Sequence, residues 1–303
     1  MKILIGSTGF VGSNLLASTA FDFAYHSTDI QNAYGKNPDL LIYAGLSAAK
    51  FLANAAPDKD LAKINEAEQN ILKINPKKIV LISTIDVLGV PQGANENANI
   101  DISKLTAYGL NRYKLEKWVR ENYNDALIVR LPALFGKNIK KNFVYDLLNL
   151  MPKMLNATKY SELATKEPLL KRYYRLQANN FYALTDEVDK ENLTAAFKRL
   201  NFSALNFTDS RNRYQFYPLA RLWRDIECAL SENIKLLHLA TEPVSASELY
   251  EKIMGRKFVN EFLKTPLNYN FKTKYTAIFG GSNGYILDKD EVINELKNFM
   301  AKA

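Results

Sequence analysis

The stretch that most constrains this chain is its first twelve residues. Residues 2–5 are a short apolar run rich in Ile and Leu; Gly6, Gly9 and Gly12 follow in G-x-x-G-x-x-G spacing, and a helical pattern opens at Asn14. A strand, a glycine turn and a helix in that order let backbone rather than side chains meet a ligand. The turn is tight, a Cβ would bar a pyrophosphate from the backbone, and the helix must lie close to the strand. The free N–H groups of the helix N-terminus, and its dipole, then favour an anion. Gly6, Ser7, Thr8, Gly9, Phe10, Val11 and Gly12 are therefore the first candidates for contact with a dinucleotide.

Further along, residues 21–26 read as a second strand, with Ser27 and Thr28 at its end and Asp29 just beyond, where dinucleotide folds hold a ribose. No Arg stands there to claim a 2′-phosphate, so NAD and NADP both stay open. Residues 39–44 are a third strand; Ala44, Gly45 and Leu46 close it at the sheet edge where a cofactor passes. Helical spacing covers 57–75 and stops at Pro76. Residues 78–83 and 126–130 are two more strands, the second running into Leu131 and Pro132, and between them Ser103 is an N-cap for a helix reaching Asn122. Strands alternating with helices imply an α/β fold, a doubly wound parallel sheet of Rossmann type covered on both faces.

Beyond Gly136 the rhythm changes. Residues 137–213 are rich in Lys, Asn and Tyr, helical in pattern and without strong strands; a strand follows at 236–240, a helix at 245–254 and another from about Lys289. The expected organisation is a dinucleotide-binding core over 1–136. Residues 137–303 then return partly to that core and form a smaller, mainly C-terminal substrate lobe.

Bulk properties narrow the function. A chain of 303 residues with 47% hydrophobic content can fill one large or two modest cores. It has no apolar run of membrane-spanning length, and its apolar start ends in glycines rather than a cleavage site, so it reads as cytoplasmic. The single Cys228 excludes an internal disulfide, and with only His26 and His238 no metal site is expected. The net charge of +8 is spread among acids with no basic tail, which argues against nucleic acid; part of the excess suits anionic ligands.

A second constellation lies where a nicotinamide enzyme needs it. Strand 78–83 runs into Thr84, whose hydroxyl at a strand end can hydrogen-bond a substrate oxygen, with Asp86 two residues on. Tyr108 and Arg112 stand at i and i+4 on one helix face. A fixed cation beside a phenol lowers its pKa from about 10 and suits it to acid–base work. With GSTGFVG at 6–12, STIDVLG at 83–89, AYGLNR at 107–112 and VRLPALFG at 129–136, the chain resembles an extended short-chain dehydrogenase/reductase of the NAD-dependent epimerase/dehydratase family.

That resemblance implies a bound NAD(P) and a nucleotide-linked sugar as substrate. It makes Thr84 the hydroxyl donor, Tyr108 the acid/base, the glycine loop the pyrophosphate cradle, and Leu131 and Pro132 neighbours of the nicotinamide. It also implies a homodimer through the helices at about 57–75 and 104–122. Two positions depart from the pattern. The family's Y-x-x-x-K reads Y-x-x-x-R here, and Arg112 keeps the charge but cannot lose a proton. The Asp-Glu pair of sugar dehydratases is Ile85-Asp86 here, so dehydration lacks its first acid. YHSTD at 25–29 is similar to the opening of 4-keto-sugar reductases. A keto-sugar reductase is thus favoured over an epimerase, with a dinucleotide-binding redox sensor as the alternative. Lys140, Lys141 and Asn142, and Arg211, Arg213 and Gln215, are candidate contacts for a substrate diphosphate.

Overall fold

The structure is a computed structural model and describes residues 1–302. Two compact units make it up. The larger is built from Met1–Ile139, Arg213–Val244 and Asn268–Ala303, the smaller from Lys140–Asn212 and Ser245–Leu267.

In the larger unit, β1 (Lys2–Ile5), β2 (Phe23–Tyr25), β3 (Leu40–Tyr43), β4 (Ile79–Thr84) and β5 (Leu127–Leu131) are joined by the strand Leu236–His238. They form one six-stranded sheet in the order Leu236–His238, β5, β4, β3, β1, β2, and every pairing is parallel. Covered strands explain the unbroken apolar runs: Ile3, Leu4, Leu41, Ile42, Ile79 and Val80 are fully buried. Helices α1 (Phe10–Ser18), α2 (Lys50–Ala55), α3 (Pro57–Ile74) and α4 (Ala107–Asn122) follow β1, β3 and β4. On one face Ile64, Ala67, Ile71 and Ile74 of α3, with Leu115 and Val119 of α4, pack on Ile3, Leu41, Leu81 and Ile128 of the sheet. Each such Ile or Leu contributes about 1.5–3 kcal/mol of burial free energy. Pro57 starts α3, and Asn75, in the left-handed region at φ 53°, ends it.

From β1 the chain steps to one side as β2, then crosses back to the other side as β3. The strand order therefore reverses between β1 and β3, and a crevice opens outside their carboxyl ends, the place where such sheets bind ligands. Gly6 and Ala44 meet there. At φ +92° Gly6 has the conformation glycine favours, and a Cβ on it would strike the Ala44 carbonyl.

Two expectations from the sequence need correction. The helix expected from Ser103 starts at Ala107: Thr106 caps it by accepting the Gly109 N–H at 3.4 Å, while Ser103 sits in a separate turn capped by Asp101. Both hydroxyls are chemically fit to cap, and the extended backbone at Leu105 and Thr106 decides between them. Within 137–213 there is a three-stranded antiparallel sheet, Met154–Asn156, Phe181–Leu184 and Tyr174–Leu176. Its strands are three or four residues long, too short for period-two alternation to stand out. It belongs to the smaller unit, whose core gathers Leu155, Leu163, Leu170, Tyr174, Leu193 and Phe197.

Among the described residues, no helix is long and apolar enough to cross a membrane.

Candidate functional site

Three cavities lie end to end over the carboxyl edge of the large sheet, all within the larger unit. The first, about 380 Å³, is lined by Gly6, Thr8 and Gly9 of the turn, Ser27 after β2, and Ala44, Gly45 and Leu46 after β3. It shares Ala44 and Leu46 with the second, about 130 Å³, which adds Val11, Thr84, Tyr108, Arg112, Leu131 and Pro132. The second shares Thr84, Leu131 and Pro132 with the third, about 230 Å³, lined also by Lys50, Asp86, Gln215 and Tyr269. The groove therefore runs from the glycine turn to the hydroxyl of Thr84.

The glycine turn fits a pyrophosphate. A Cβ on Gly12 would fall on the Gly6 carbonyl, so helix and turn can approach this closely only without one. Gly9 is the N-cap of α1 and supplies no side-chain oxygen to the first-turn N–H groups, which an anion can therefore satisfy. Ser7 is buried, and Phe10 opens α1. Thr28 lines none of these cavities; its hydroxyl lies 3.0 Å from His26 Nδ1. Asp29 accepts the His26 N–H at 2.6 Å and pairs with its ring at 3.5 Å, so it is engaged within its own turn. Lys63 and Glu66 of α3 line the same end of the groove, and sequence reasoning missed both. They lie mid-helix with no motif around them.

At the far end, Thr84 Oγ1 accepts the Asp86 N–H at 3.2 Å and its hydroxyl hydrogen-bonds the Tyr108 phenol. Tyr108 is buried, and its own N–H donates to Asn54 Oδ1 at 2.9 Å. The Arg112 guanidinium stacks 4.0 Å from the centre of the Tyr108 ring. It is also held elsewhere: Nη1 pairs with the buried Asp60 carboxylate, and Nη2 donates to the Ser47 carbonyl at 2.8 Å. Asp60, 52 residues away in sequence, was not visible as a partner.

The expected fall in the Tyr108 pKa is reversed. Burial raises it above 10, with Asp86 acting in the same direction, against the lowering effects of Arg112, Lys50 and the Thr84 hydrogen bond. A phenol nearly cut off from water pays more to ionise than one nearby cation returns.

Lys50 was also missed. Its Nζ lies 2.6 Å from Asp86 Oδ1. Burial opposes its charge, but Asp86, by charge and hydrogen bond, leaves its pKa above the ordinary value.

The candidate diphosphate contacts fall in both units. Lys140, Lys141, Asn142 and Arg211 belong to the smaller unit, Arg213 and Gln215 to the larger. Asn142 caps the helix Phe143–Leu148 through the Val144 and Tyr145 N–H groups. Arg211 is paired with Asp209 at 2.8 Å and Glu261 at 3.4 Å. Arg213 donates to the Pro243 carbonyl at 3.4 Å. The buried Gln215 amide donates to the carbonyls of Thr241 and Phe271 and accepts the Phe271 N–H, so it braces the third cavity's wall.

No protein-family model matches the chain. Over 175 residues it is 27% identical to N-acetyl-alpha-D-glucosaminyl-diphospho-ditrans,octacis-undecaprenol 4-epimerase from Escherichia coli O157:H7, a match covering 48% of this chain and 52% of that protein. The chain thus spans about half the length of this curated relative. Solved structures match along the whole chain. The dTDP-4-dehydrorhamnose reductase of Bacillus anthracis str. Ames in complex with NADP superposes with a TM-score of 0.64, 16% identity, and coverage of 100% of this chain and 98% of that one. RMD from Pseudomonas aeruginosa complexed with NADPH gives 0.61, 14%, 100% and 99%. A UDP-N-acetylglucosamine 4-epimerase from Methanobrevibacter ruminantium M1, in complex with UDP-N-acetylmuramic acid, gives 0.59, 12%, 99% and 96%. This chain has the Rossmann-type fold of these solved reductases and epimerases.

Proposed function

We propose that the protein is an NAD(P)-dependent oxidoreductase acting on a nucleotide-linked sugar, as a keto-sugar reductase in preference to an epimerase. The observation that carries this reading is the continuous groove from the Gly6–Gly12 turn to Thr84 and Tyr108. The Gly6–Gly12 turn would hold the cofactor's pyrophosphate, and the nicotinamide, when bound, would supply the hydride. Thr84 holds the substrate oxygen, and Tyr108 hands it a proton. A phenol whose burial keeps it protonated is suited to giving a proton, which is the direction of carbonyl reduction. Leu131 and Pro132 line both the second and the third cavity, where they would lie beside the nicotinamide. Ile85 is buried and apolar where a dehydratase needs an acid, which weighs against elimination of water. The remaining site assignments belong to the same proposal: Ser27 and Thr28 toward the ribose, Asp86 toward the sugar, and Lys140, Lys141, Asn142, Arg211, Arg213 and Gln215 toward a diphosphate. So do a cytoplasmic location and a homodimer through α3 and α4.

A fluorescence titration with NADH and NADPH tests the groove, and a panel of keto-sugar nucleotides then tests turnover. Tyr108→Phe should lower kcat by about 10²–10⁴ while leaving cofactor affinity within twofold. Full turnover in Tyr108→Phe refutes the assignment. The Arg112–Asp60 pair supports a second reading, a dinucleotide sensor, because it ties to a buried carboxylate the cation that stands at the family's lysine position. Cofactor binding without turnover of any sugar nucleotide selects that reading.

A further inference from the structure

We propose that Lys50 is a positioning cation for the Tyr108 acid/base, acting beside Arg112 from the cavity that Lys50 shares with Asp86 and Thr84. This rests on Tyr108 being the acid/base. Helix α2 brings Lys50 to the site and fixes it there twice. Its first residue is Lys50, and its fifth, Asn54, accepts the backbone N–H of Tyr108 itself at 2.9 Å. The Lys50 ammonium meets Asp86 at 2.6 Å and hydrogen-bonds the Tyr269 hydroxyl, and all three groups line the third cavity with Thr84.

The charges around Tyr108 come from every element packed on it. Arg112 is on its own helix, Asp86 is on the turn after β4, and Lys50 is on α2, with the neutral Thr84 hydroxyl at the end of β4. Arg112 is matched by Asp60, keeps its proton at any working pH, and adds a constant field. Asp86 opposes ionisation of the phenol; Arg112 first, and Lys50 after it, favour ionisation, and Lys50 is the one of the two that is paired with Asp86. Lys50 is 42% exposed and Asp86 20%, so this pair is open to water, whereas the Arg112–Asp60 pair is only 5% and 7% exposed. A substrate that engages Asp86 or Lys50 therefore changes the proton affinity of the phenol as it binds.

The test places 3-fluorotyrosine at position 108 of the full chain, which brings the phenol's titration toward neutrality and gives a single ¹⁹F signal. Lys50→Met should raise the titration midpoint by about one pH unit, because Asp86 is left unanswered, and Asp86→Asn should lower it by a similar amount. Lys50→Arg, which keeps the charge, should restore the parent midpoint to within about 0.3 unit. A midpoint in Lys50→Met within about 0.2 unit of the parent, or Lys50→Arg matching Lys50→Met, overturns the assignment. NADPH titration of the same proteins reports separately on the proposed function. Failure to bind cofactor removes that reading, whereas an unmoved midpoint with intact binding removes only the role of Lys50.

Discussion

Replacing His238 should change how the stability of this protein responds to acid. The His238 side chain is fully buried at the end of the last sheet strand. Its Nε2 lies 3.1 Å from Arg130 Nη1 and its Nδ1 3.0 Å from the Lys272 carbonyl. A guanidinium can only donate, so Nε2 accepts and the ring proton sits on Nδ1, donated to Lys272. Protonating Nε2 would set two donors face to face. Burial, with Arg130 in the same direction, pushes the pKa from 6.5 to about 4, against Glu96, Glu116 and the Lys272 carbonyl. The folded pKa lies below the unfolded one, so the unfolded chain binds the extra proton. The stability from neutral His238 is complete above pH 6.5 and is lost as pH falls toward 4. Linkage over that window gives a loss of about 2 kcal/mol between pH 7.5 and pH 5. Asp146 works the other way. Burial raises its pKa from 3.8 to about 7, so its neutral form favours the fold as pH falls. By the same linkage it returns about 2.5 kcal/mol over the same interval. These two contributions nearly cancel, so the parent profile alone says little about His238. The informative quantity is the difference between parent and His238→Gln in urea-unfolding free energy, read at pH 7.5 and at pH 5. The variant starts lower but should lose about 2 kcal/mol less than the parent on acidification. Equal losses in the two proteins, within about 0.5 kcal/mol, refute the argument that this ring is neutral and kept so by its surroundings.

Two further substitutions probe the frame of the site. Gly12→Ala puts a methyl group on the Gly6 carbonyl and should lower dinucleotide affinity at least about tenfold in a fluorescence titration; affinity unchanged within twofold would show that the turn does not shape the groove. Arg112→Met leaves the Asp60 carboxylate buried without its cation and should cost about 3–5 kcal/mol in urea unfolding, most of it recovered in Arg112→Met/Asp60→Leu; a cost under about 1 kcal/mol for the single change would mean that the pair is not desolvated.

Much of the fold was legible because local and global signals agree. The run at residues 2–5, the glycines and the helix behind them are contiguous in sequence, and β3, β4 and β5 each begin with an apolar run of three or more residues. Thr84 and Tyr108 carry a recognisable spacing, and they do share a cavity. What stayed hidden depends on distance in the chain. Lys50 sits on a six-residue helix with no motif and gains its meaning only from Asp86, 36 residues on. Arg112 looked available to the phenol from its i+4 position, yet Asp60 and Ser47 hold it from α3 and from the loop after β3. The direction of the Tyr108 pKa was misread because a sequence shows neighbouring charge but not how completely a ring is buried.

The strand Leu236–His238 has a consequence for how the chain is made. It pairs with the outer edge of β5, yet it leaves the ribosome long after β5 does. Until then β5 presents an open row of backbone donors and acceptors, beside the buried charges of Arg130 and Glu116 whose network His238 completes. The wall formed by Tyr269 and Phe271 arrives later still. A nascent chain halted inside the smaller unit therefore carries a nearly finished sheet with a sticky margin. Chaperone demand during synthesis, and aggregation of truncated products, should concentrate in that interval rather than at the N-terminal motif.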